Sequence, residues 1–380
     1  MKTNICFVSS TRADYSLLLP SIKECLSRKG KGVKTSVIVT GSHLLKSQGE
    51  TINHFKTDKI PISYSFKIFD KTDSKGVKDN FKKSFDGFFA AYEKIKPDVV
   101  VLLGDRYEIF CAAVTAHMKG IKVVHLHGGE LTLGAYDDAY RHSISKFSYL
   151  HFTASKNYRR RVIQLGENPR KVFNVGPLAR EAISNVKFLK KSELEKKLKL
   201  KLKQNVILAT FHPEIGSEEK NKQNLMNFIN VLGELKNVSI LFTSPNLDFL
   251  GNEVKKLLKD KIKDFENIAY FESLGSELYY SLMKFTKCVV GNSSSGIIEA
   301  PIMGISSINI GKRQEGRDQE KTTVNSSFNK SELKNKIEKV LQQKKPSKKN
   351  IKNVSKPSKI IVNKIIEICK KDFSKKFYDL

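Results

Sequence analysis

The chain has 380 residues, of which 39% are hydrophobic and 28% are charged, and its formal net charge is +29. This length and apolar content predict two folded domains and exclude disordered, collagenous and disulfide-scaffold proteins. No apolar run approaches the roughly 18–20 residues of a membrane-spanning helix, and the first residues lack the pattern of a signal peptide, so we expect a cytoplasmic protein without a membrane span.

In chain order, the first half alternates short apolar segments with amphipathic helical segments. The predicted strands are Asn4–Ser10, Lys34–Val39, Val99–Leu103, Lys122–Leu126, Leu150–Thr153 and Val172–Val175, and the clearest helical patterns are Ser16–Leu26 and Glu108–Met118. Apolar strands that alternate with helices are typical of a parallel sheet buried on both faces.

The second half repeats this scheme. Its predicted strands are Asn205–Phe211, Val238–Phe242, Ile268–Phe271, Cys288–Val290 and Ser306–Ile310, and a short helix is predicted from Ile297 to Met303. The pattern therefore predicts an α/β protein of two Rossmann-like, doubly wound domains that face a cleft. We place the domains at residues 1–178 and 179–345, followed by a lysine-rich helix and tail at 346–380.

Lysine supplies most of the positive charge, because 57 of the 68 basic residues are Lys. Base recognition and bidentate phosphate contacts usually favour Arg, and the sequence contains no nucleic-acid-binding motif. We therefore predict a solvated lysine-rich surface and no nucleic-acid partner. A basic nucleic-acid-binding protein is the alternative from another functional class, and a steep loss of nucleic-acid affinity with salt would identify it.

The cysteines and histidines do not indicate a metal site. The five cysteines are scattered without a Cys-x-x-Cys pair, which is typical of reduced core residues. His125 and His127 alternate along one predicted strand and should point to opposite faces. We predict no metal and no bound cofactor.

Polar and charged residues follow most of the predicted strands. These segments are Thr11–Tyr15, Gly41–His43, Gly104–Arg106, His127–Glu130, His212–Glu214, Pro245–Asn246 and Gly291–Gly296. Ligands of open parallel sheets bind beyond the carboxyl ends of the strands, so these segments predict one shared binding site.

The serine-rich loop Gly291–Gly296 has the small residues that allow backbone N–H groups and hydroxyls to converge on a phosphate. Arg313 and Arg317 follow a later strand and could neutralise a diphosphate without a metal. Glu299 either binds a ribose diol or complements a helix N-terminus. The sequence has no G-x-G-x-x-G after its first strand and no Asp-x-Asp, which argues against a dinucleotide cofactor and a metal-dependent transferase.

The first half supplies the acids for proton transfer. Asp105, Glu130, Asp137 and Asp138 could act around one sugar ring and stabilise an oxocarbenium-like centre. Asp137 and Arg141 are four residues apart, so a plain ion pair is the alternative there.

Eight motifs in order indicate a family. They are Thr11–Tyr15 (TRADY), Gly41–Leu44 (GSHL), Gly104–Arg106 (GDR), His127–Glu130 (HGGE), Asp137–His142 (DDAYRH), His212–Pro213, Gly291–Ser294 (GNSS) and Arg313–Arg317 (RQEGR). The chain resembles the hydrolysing UDP-N-acetylglucosamine 2-epimerases of bacterial sialic-acid and capsule synthesis. The match covers residues 11 to 317, and the motifs together are highly specific.

The resemblance implies a GT-B-like fold with UDP held mainly by the second domain. It implies that UDP is eliminated as the C2 proton leaves, and that water then adds with inverted configuration to release N-acetylmannosamine and UDP. Such an enzyme is a hydrolase of a glycosidic bond that needs no cofactor, and the family suggests a homo-oligomer, a dimer or a tetramer.

The resemblance also assigns roles to residues. Nucleotide or diphosphate contacts are matched by Arg12, His212, Asn246, Ser293, Ser294, Glu299 and Arg313, with Arg317 added to the substrate-binding set and His212 also counted among the catalytic candidates. Asp105, Glu130 and Asp137 match the catalytic acids, with Asp138 an alternative to Asp137, whereas His43 and Arg106 match residues near the sugar. Which acid takes the C2 proton stays open.

The sugar substituents stay open as well. Ser295 stands where many relatives carry Cys, and His127 stands where many carry another residue. Members that act on UDP-2,4-diacetamido-2,4,6-trideoxy sugars of the legionaminic-acid route share these motifs. The His-x-His-Gly-Gly-Glu form resembles the capsule type, so we expect UDP-N-acetylglucosamine as the substrate. A non-hydrolysing epimerase and a GT-B glycosyltransferase are the other enzyme alternatives.

Overall fold

The fold comes from a computed structural model. It describes residues 3–46, 49–69, 76–133, 137–244, 251–344, 356–369 and 375–379, and for residues 251–253 it describes the backbone alone. The chain divides into two compact units. Unit 1 comprises Met1–Glu130, Tyr136–Ala182 and Val354–Leu380, and unit 2 comprises Leu131–Ala135 and Ile183–Asn353. The division falls four residues after the expected boundary, and of the C-terminal segment expected at 346–380, the part from Val354 to Leu380 groups with unit 1.

Unit 1 contains one parallel sheet with the order β3-β2-β1-β4-β5-β6-β7. Its strands are β1 Thr3–Ser9, β2 Val33–Val39, β3 Tyr64–Ser65, β4 Val99–Leu103, β5 Lys122–Leu126, β6 Leu150–Thr153 and β7 Val172–Asn174. Its α-helices are α1 Arg12–Leu26, α2 Asn53–Thr57, α3 Val77–Ile95, α4 Tyr107–Met118, α5 Asp137–Phe147, α6 Lys156–Gln164, α7 Ala179–Ser184 and, at the C-terminal end, α15 Pro357–Cys369. Helix α7 runs two residues past the division between the units.

Unit 2 contains a second parallel sheet with the order β10-β9-β8-β11-β12-β13. Its strands are β8 Asn205–Thr210, β9 Val238–Thr243, β10 Ile268–Phe271, β11 Cys288–Gly291, β12 Ser306–Ile310 and β13 Thr323–Ser326. Its helices are α8 Lys191–Leu198, α9 Glu218–Gly233, α10 Gly251–Lys261, α11 Gly275–Phe285, α12 Ser294–Ile297, α13 Glu299–Ile302 and α14 Lys330–Gln342. Single 3-10 turns lie at Gly41–Leu44, Pro169–Lys171 and Ile262–Asp264.

Burial on both faces explains the continuous apolar strands. All five side chains of β4 are buried. Alternate residues of β1 enter opposite cores: Ile5 and Phe7 belong to one cluster, whereas Cys6 and Val8 belong to another. Two covered faces are what an apolar parallel strand requires, so the prediction of two doubly wound parallel sheets is confirmed.

The predicted strands agree with the structure to within one residue at each end. Helix α3 and the edge strands β3 and β13 are not among the predicted elements. Strand β13 has mainly exposed or half-buried side chains, and β3 spans only two residues. Such short, polar edge strands lack the apolar run on which the predictions rested.

The helix predicted from Ile297 to Met303 is instead two single turns, α12 and α13, that meet at Ile298. Pro301 has no N–H to donate to the carbonyl of Ile297, so a continuous helix would lose a hydrogen bond there. Elsewhere, helix α15 packs its buried Ile361 and Ile365 into the core cluster that contains α1. No helix among the described residues is long and apolar enough to cross a membrane.

Candidate functional site

The strand order of each sheet places the predicted site residues at a reversal of topology. In unit 1 the order reverses between the neighbours β1 and β4, and in unit 2 it reverses between β8 and β11. Connections leave such neighbouring strands in opposite directions and open a crevice beyond their carboxyl ends. Arg12 follows β1 and Asp105 follows β4, whereas His212 follows β8 and Ser293 follows β11.

A buried arginine gathers two of the predicted acids in unit 1. Arg141 of α5 is 2% exposed, and its Nη2 donates to Asp105. Its Nη1 lies 3.7 Å from Oε2 of Glu130 and donates to the backbone carbonyl of His127 at 3.3 Å. Nδ1 of His127 lies 2.9 Å from Oε1 of Glu130. Asp105, Glu130, His127 and Arg141 therefore form one cluster, which we call the acid cluster.

Charge explains why Arg141 can be buried. Burial alone would lower its pKa, but the nearby carboxylates, Asp105 first and Glu130 second, outweigh this effect and raise the pKa of Arg141. The guanidinium therefore stays charged and holds the two carboxylates in fixed positions. Glu130 is 2% exposed, whereas the side chain of Asp105 is 21% exposed, so Asp105 is the more accessible acid of the cluster.

The turn before Glu130 depends on two glycines. A Cβ at Gly129, which has a φ of +80°, would overlap the backbone carbonyl of Tyr158. A Cβ at Gly128 would lie 2.9 Å from Nδ1 of His125 and 2.9 Å from Oγ of Ser145. Those two atoms are hydrogen-bonded to each other at 3.0 Å. The two glycines of the His-Gly-Gly-Glu motif thus allow the tight turn that brings Glu130 close to Arg141.

Gly128→Ala should lower the free energy of unfolding by about 1–3 kcal/mol, because the added methyl group must push apart a buried hydrogen-bonded pair. Chemical denaturation measures this change. Gly296→Ala is the matched control, since a Cβ there would make only ordinary contacts, 3.7 Å from Ser307 and Val289. Equal stability of the two variants would contradict the proposed packing at Gly128.

The other two predicted acids begin helix α5. Asp138 Oδ2 lies 3.5 Å from Nε2 of His142, one turn further along α5. Burial lowers the pKa of His142, although the Asp138 carboxylate opposes this shift. Asp137 and Asp138 both raise the pKa of Arg141 after Asp105 and Glu130. All four predicted acids therefore raise the pKa of Arg141. Asp138 also pairs with His142.

Arg106 and His43 occupy different environments. Nε of Arg106 donates to Oε1 of the fully buried Glu108 at 2.6 Å. His43 is 0% exposed, and its ring nitrogens lie 2.9 Å from Oγ of Ser9 and 2.7 Å from Oγ1 of Thr51. Burial lowers the pKa of His43 to about 3, so this ring is neutral at physiological pH. His43 therefore links Ser9, the last residue of β1, to Thr51, and its place near the sugar stays a prediction.

In unit 2, Asn292 joins the ends of three adjacent strands. Its Oδ1 accepts from the backbone N–H of His212 at 2.7 Å, and its Nδ2 donates to the His212 carbonyl at 2.8 Å. Its own carbonyl accepts from Nη1 of Arg313 at 3.3 Å and from Nε2 of Gln314 at 3.0 Å. The residues that follow β8, β11 and β12 are thereby held together.

Glu214 adds a second connection between the same loops. Its Oε1 accepts from the backbone N–H groups of Lys312 and Arg313, each at 3.0 Å. Gly311 makes this approach possible, because it has a φ of +75° and a Cβ there would overlap the Glu214 carboxylate. Glu214 therefore sets the backbone position of Arg313.

The serine-rich loop follows β11. Ser293 is the N-cap of α12, and the Ser295 hydroxyl accepts from Tyr279 at 2.6 Å. Ser293, Ser294, Glu299 and Arg317 are half-buried. Gly291, with a φ of +141°, approaches the carbonyl of Thr210 so closely that a Cβ would not fit. Asn246 lies outside the described residues.

The structure thus brings Asp105 and Glu130 together in unit 1, and His212, Ser293 and Arg313 near Asn292 in unit 2. Arg141 and Gln314 were not predicted as site residues, and His127, Glu214 and Asn292 had no role of their own, although they lie in polar segments predicted to form the site. All of them lie inside or beside the quoted motifs, which is the signal that could have found them. Among the described residues, no group of three His, Cys, Asp or Glu side chains could hold a metal ion.

Comparisons with known proteins identify a family for this chain. Residues 26–360 match the family model described as UDP-N-acetylglucosamine 2-epimerase. The chain is 40% identical to a Campylobacter jejuni protein named GDP/UDP-N,N'-diacetylbacillosamine 2-epimerase (hydrolyzing), covering 86% of this chain and 85% of the relative. It is 34% identical to the Escherichia coli polysialic acid biosynthesis protein P7, covering 82% and 80%.

The fold has solved counterparts. The crystal structure of UDP-GlcNAc 2-epimerase from Neisseria meningitidis bound to UDP-GlcNAc is similar, with a TM-score of 0.77 and 16% identity. The similarity covers 97% of this chain and 100% of that chain. At this identity the likeness concerns the fold.

Proposed function

The chain belongs to the UDP-N-acetylglucosamine 2-epimerase family, and we propose that it is a hydrolysing 2-epimerase of a UDP-linked 2-acetamido sugar. The observation that carries this proposal is the acid cluster, in which the buried Arg141 cation holds Asp105 and Glu130 at the topological reversal of unit 1. A fixed set of carboxylates suits a reaction that removes a proton from one face of a sugar and returns one to the other.

The first stage is an elimination. A carboxylate takes the C2 proton, the C1–O bond to UDP breaks, and its electron pair leaves on the β-phosphate oxygen. The C1=C2 double bond of a glycal-like intermediate forms. Asp105 is our candidate for the acid that contacts the sugar, because it is the more exposed acid of the cluster. Glu130, held by His127 and Arg141, stabilises the arrangement.

The second stage is a hydration. Water adds its oxygen to C1, and C2 receives a proton on the face opposite to the one that lost it. Asp137 and Asp138 at the start of α5 are the further candidates for this proton transfer. The products are UDP and the free sugar with inverted configuration at C2.

Unit 2 is proposed to hold the nucleotide. Arg313 supplies a cation beside the hydroxyl-rich loop Ser293–Ser295, and Asn292 and Glu214 fix both against His212. A guanidinium and hydroxyls of this kind suit a diphosphate without a metal. We propose that Glu299 and Arg317 complete the nucleotide site in unit 2, whereas a nucleotide contact by Arg12 of unit 1 stays a prediction from the family motif.

Two sugars are candidates. The 40% identity to the Campylobacter jejuni relative favours UDP-N,N'-diacetylbacillosamine, which is the UDP-2,4-diacetamido-2,4,6-trideoxy sugar. The His-x-His-Gly-Gly-Glu motif and the 34% identity to the Escherichia coli relative favour UDP-N-acetylglucosamine. Because the first identity is higher, we place the diacetamido sugar first.

Proton NMR in deuterated water tests the function. The purified protein is incubated, without added metal, with each UDP-sugar in parallel and with the GDP-linked diacetamido sugar, since the name of the relative allows either nucleotide. We expect free 2-epimerised sugar with deuterium at C2, together with UDP, and fastest turnover of the UDP-diacetamido sugar. The Asp105→Asn variant is the control for contaminating activity.

The products separate the alternatives. An epimer still linked to UDP would indicate a non-hydrolysing epimerase, and UDP release without deuterium at C2 would indicate glycosyl transfer or simple hydrolysis. Faster turnover of UDP-N-acetylglucosamine would reverse our order of substrates. No turnover of any sugar, with salt-sensitive binding of random DNA, would favour the nucleic-acid alternative.

A further inference from the structure

The C-terminal residues 375–379 contact the end of the helix that carries Asp137 and Arg141. Nζ of Lys375 donates to the backbone carbonyls of Ser145, Lys146 and Ser148 at 3.3, 2.6 and 2.6 Å. These carbonyls belong to the last turn of α5 and the residue just after it. An ammonium group there supplies donors for carbonyls that lack helical partners and complements the negative end of the helix dipole.

Two neighbours anchor this lysine. The N–H of Tyr378 donates to the carbonyl of Gly166 at 3.0 Å. The ring of Phe377 occupies the space that a Cβ of Gly166 would need, and Nζ of Lys146 lies 4.9 Å from its centroid. The segment is therefore held on unit 1 by backbone, ring and charge contacts together.

A buried carboxylate ties Lys375 to the protein interior. Glu167 lies 2.8 Å from Lys375, 2.7 Å from Lys146 and 3.1 Å from Nε2 of His151. Burial alone would raise the pKa of Glu167, but His151 and the two lysines outweigh this effect and lower it. Glu167 is thus a charged partner that fixes the position of the Lys375 ammonium.

The contacts continue from Lys375 to the acid cluster. Ser145, whose carbonyl Lys375 binds, has its hydroxyl 3.0 Å from Nδ1 of His125. Nε2 of His125 lies 2.8 Å from the carbonyl of Gly104, the residue before Asp105. Ser145 also follows Arg141 by one helical turn, on the same side of α5.

We propose that Lys375 is a positioning residue for the reaction: it fixes the C-terminal end of α5 and, through Ser145 and His125, the placement of Asp105 and Arg141. This inference rests on the proposed function. Small displacements of catalytic groups are costly, because a misplacement of about 1 Å far from the reacting atoms can cost about 100-fold in rate. A residue near the C-terminus, remote in sequence from every motif, would then control turnover.

The test compares Lys375→Met, Lys375→Arg and Lys376→Met. Methionine keeps an unbranched apolar side chain but loses the donors, arginine restores a charged donor, and Lys376 is an exposed lysine of the same segment. For Lys375→Met we expect kcat to fall about tenfold, with KM and the Kd of UDP within about twofold of wild type. Lys375→Arg should recover most of the loss, and Lys376→Met should resemble wild type.

Hydrogen–deuterium exchange of the α5 amides gives a readout that is independent of turnover. We expect faster exchange between residues 141 and 148 in Lys375→Met and not in Lys376→Met, because the last helical turn loses its cap. Wild-type kcat and exchange in Lys375→Met, an equal loss in Lys376→Met, or a change confined to KM would overturn the inference. Absence of turnover in the wild-type protein would reject the proposed function. The exchange measurement would still test the cap on α5, because unchanged exchange in Lys375→Met would reject it.

Discussion

Replacing Asp105 with asparagine is expected to reduce kcat by at least about 1000-fold while UDP binding changes by less than about twofold. Asparagine has nearly the same shape as aspartate but cannot take a proton from C2. The amide can still accept a hydrogen bond from Arg141, and Glu130 remains beside the guanidinium, so the cluster keeps one carboxylate. The nucleotide is proposed to bind in unit 2, which does not contain Asp105.

Steady-state kinetics by UDP release and titration calorimetry with UDP measure the two quantities. Asp79→Asn is the matched control, because Asp79 is an exposed acid at the start of α3 in the same unit. Exchange of the C2 proton for deuterium should be lost together with turnover in Asp105→Asn. Retained kcat in this variant would show that another acid, with Asp137 first among the candidates, removes the proton.

Arg313→Ala is expected to raise the Kd of UDP by about 10- to 100-fold, because charge-assisted hydrogen bonds contribute about 1.5–3 kcal/mol. The guanidinium of Arg313 lies against the carbonyl of Asn292, beside the serine-rich loop, and its backbone is fixed by Glu214. Loss of the side chain leaves those backbone contacts in place, so the change should affect the ligand rather than the fold.

Calorimetric titration with UDP measures this effect, with Lys312→Ala as the control. Lys312 is an exposed neighbour whose backbone N–H, like that of Arg313, donates to Glu214. Truncating its side chain should change the Kd of UDP by less than about twofold. An unchanged Kd in Arg313→Ala would place the diphosphate elsewhere, and equal effects in both variants would indicate only a general electrostatic contribution.

The motifs can be read directly from the sequence, but the contacts that their residues make in the folded protein were harder to predict. The i, i+4 spacing of Asp137 and Arg141 predicted a local ion pair, and Asp137 does raise the pKa of Arg141. The spacing did not predict that Arg141 also contacts Asp105 and Glu130, which are 36 and 11 residues away in sequence. Likewise, Glu214 contacts the backbone of Arg313 across 99 residues. Helical spacing limits which neighbours are possible, but burial and charge decide which of them is chosen.

The contacts of His43 were also not predictable from its motif. Its motif predicts a place near the sugar, and the structure adds that the ring is completely buried, with Ser9 and Thr51 at its two nitrogens. A sequence pattern reports that a residue type is needed at a position. It does not report whether the need is for a contact with a ligand or for packing beneath the site.

The sequence by itself determined the fold class, most strands to within one residue, the family and the acid and nucleotide motifs. These follow from local rules: apolar runs form buried parallel strands, and glycine-rich polar turns follow their carboxyl ends. Only the tertiary structure decided that Arg141 gathers the acids, that Asn292 and Glu214 join three strand ends, and that Lys375 caps α5. Those contacts join segments far apart in the chain, and their partners are selected by burial and charge, which local periodicity does not encode.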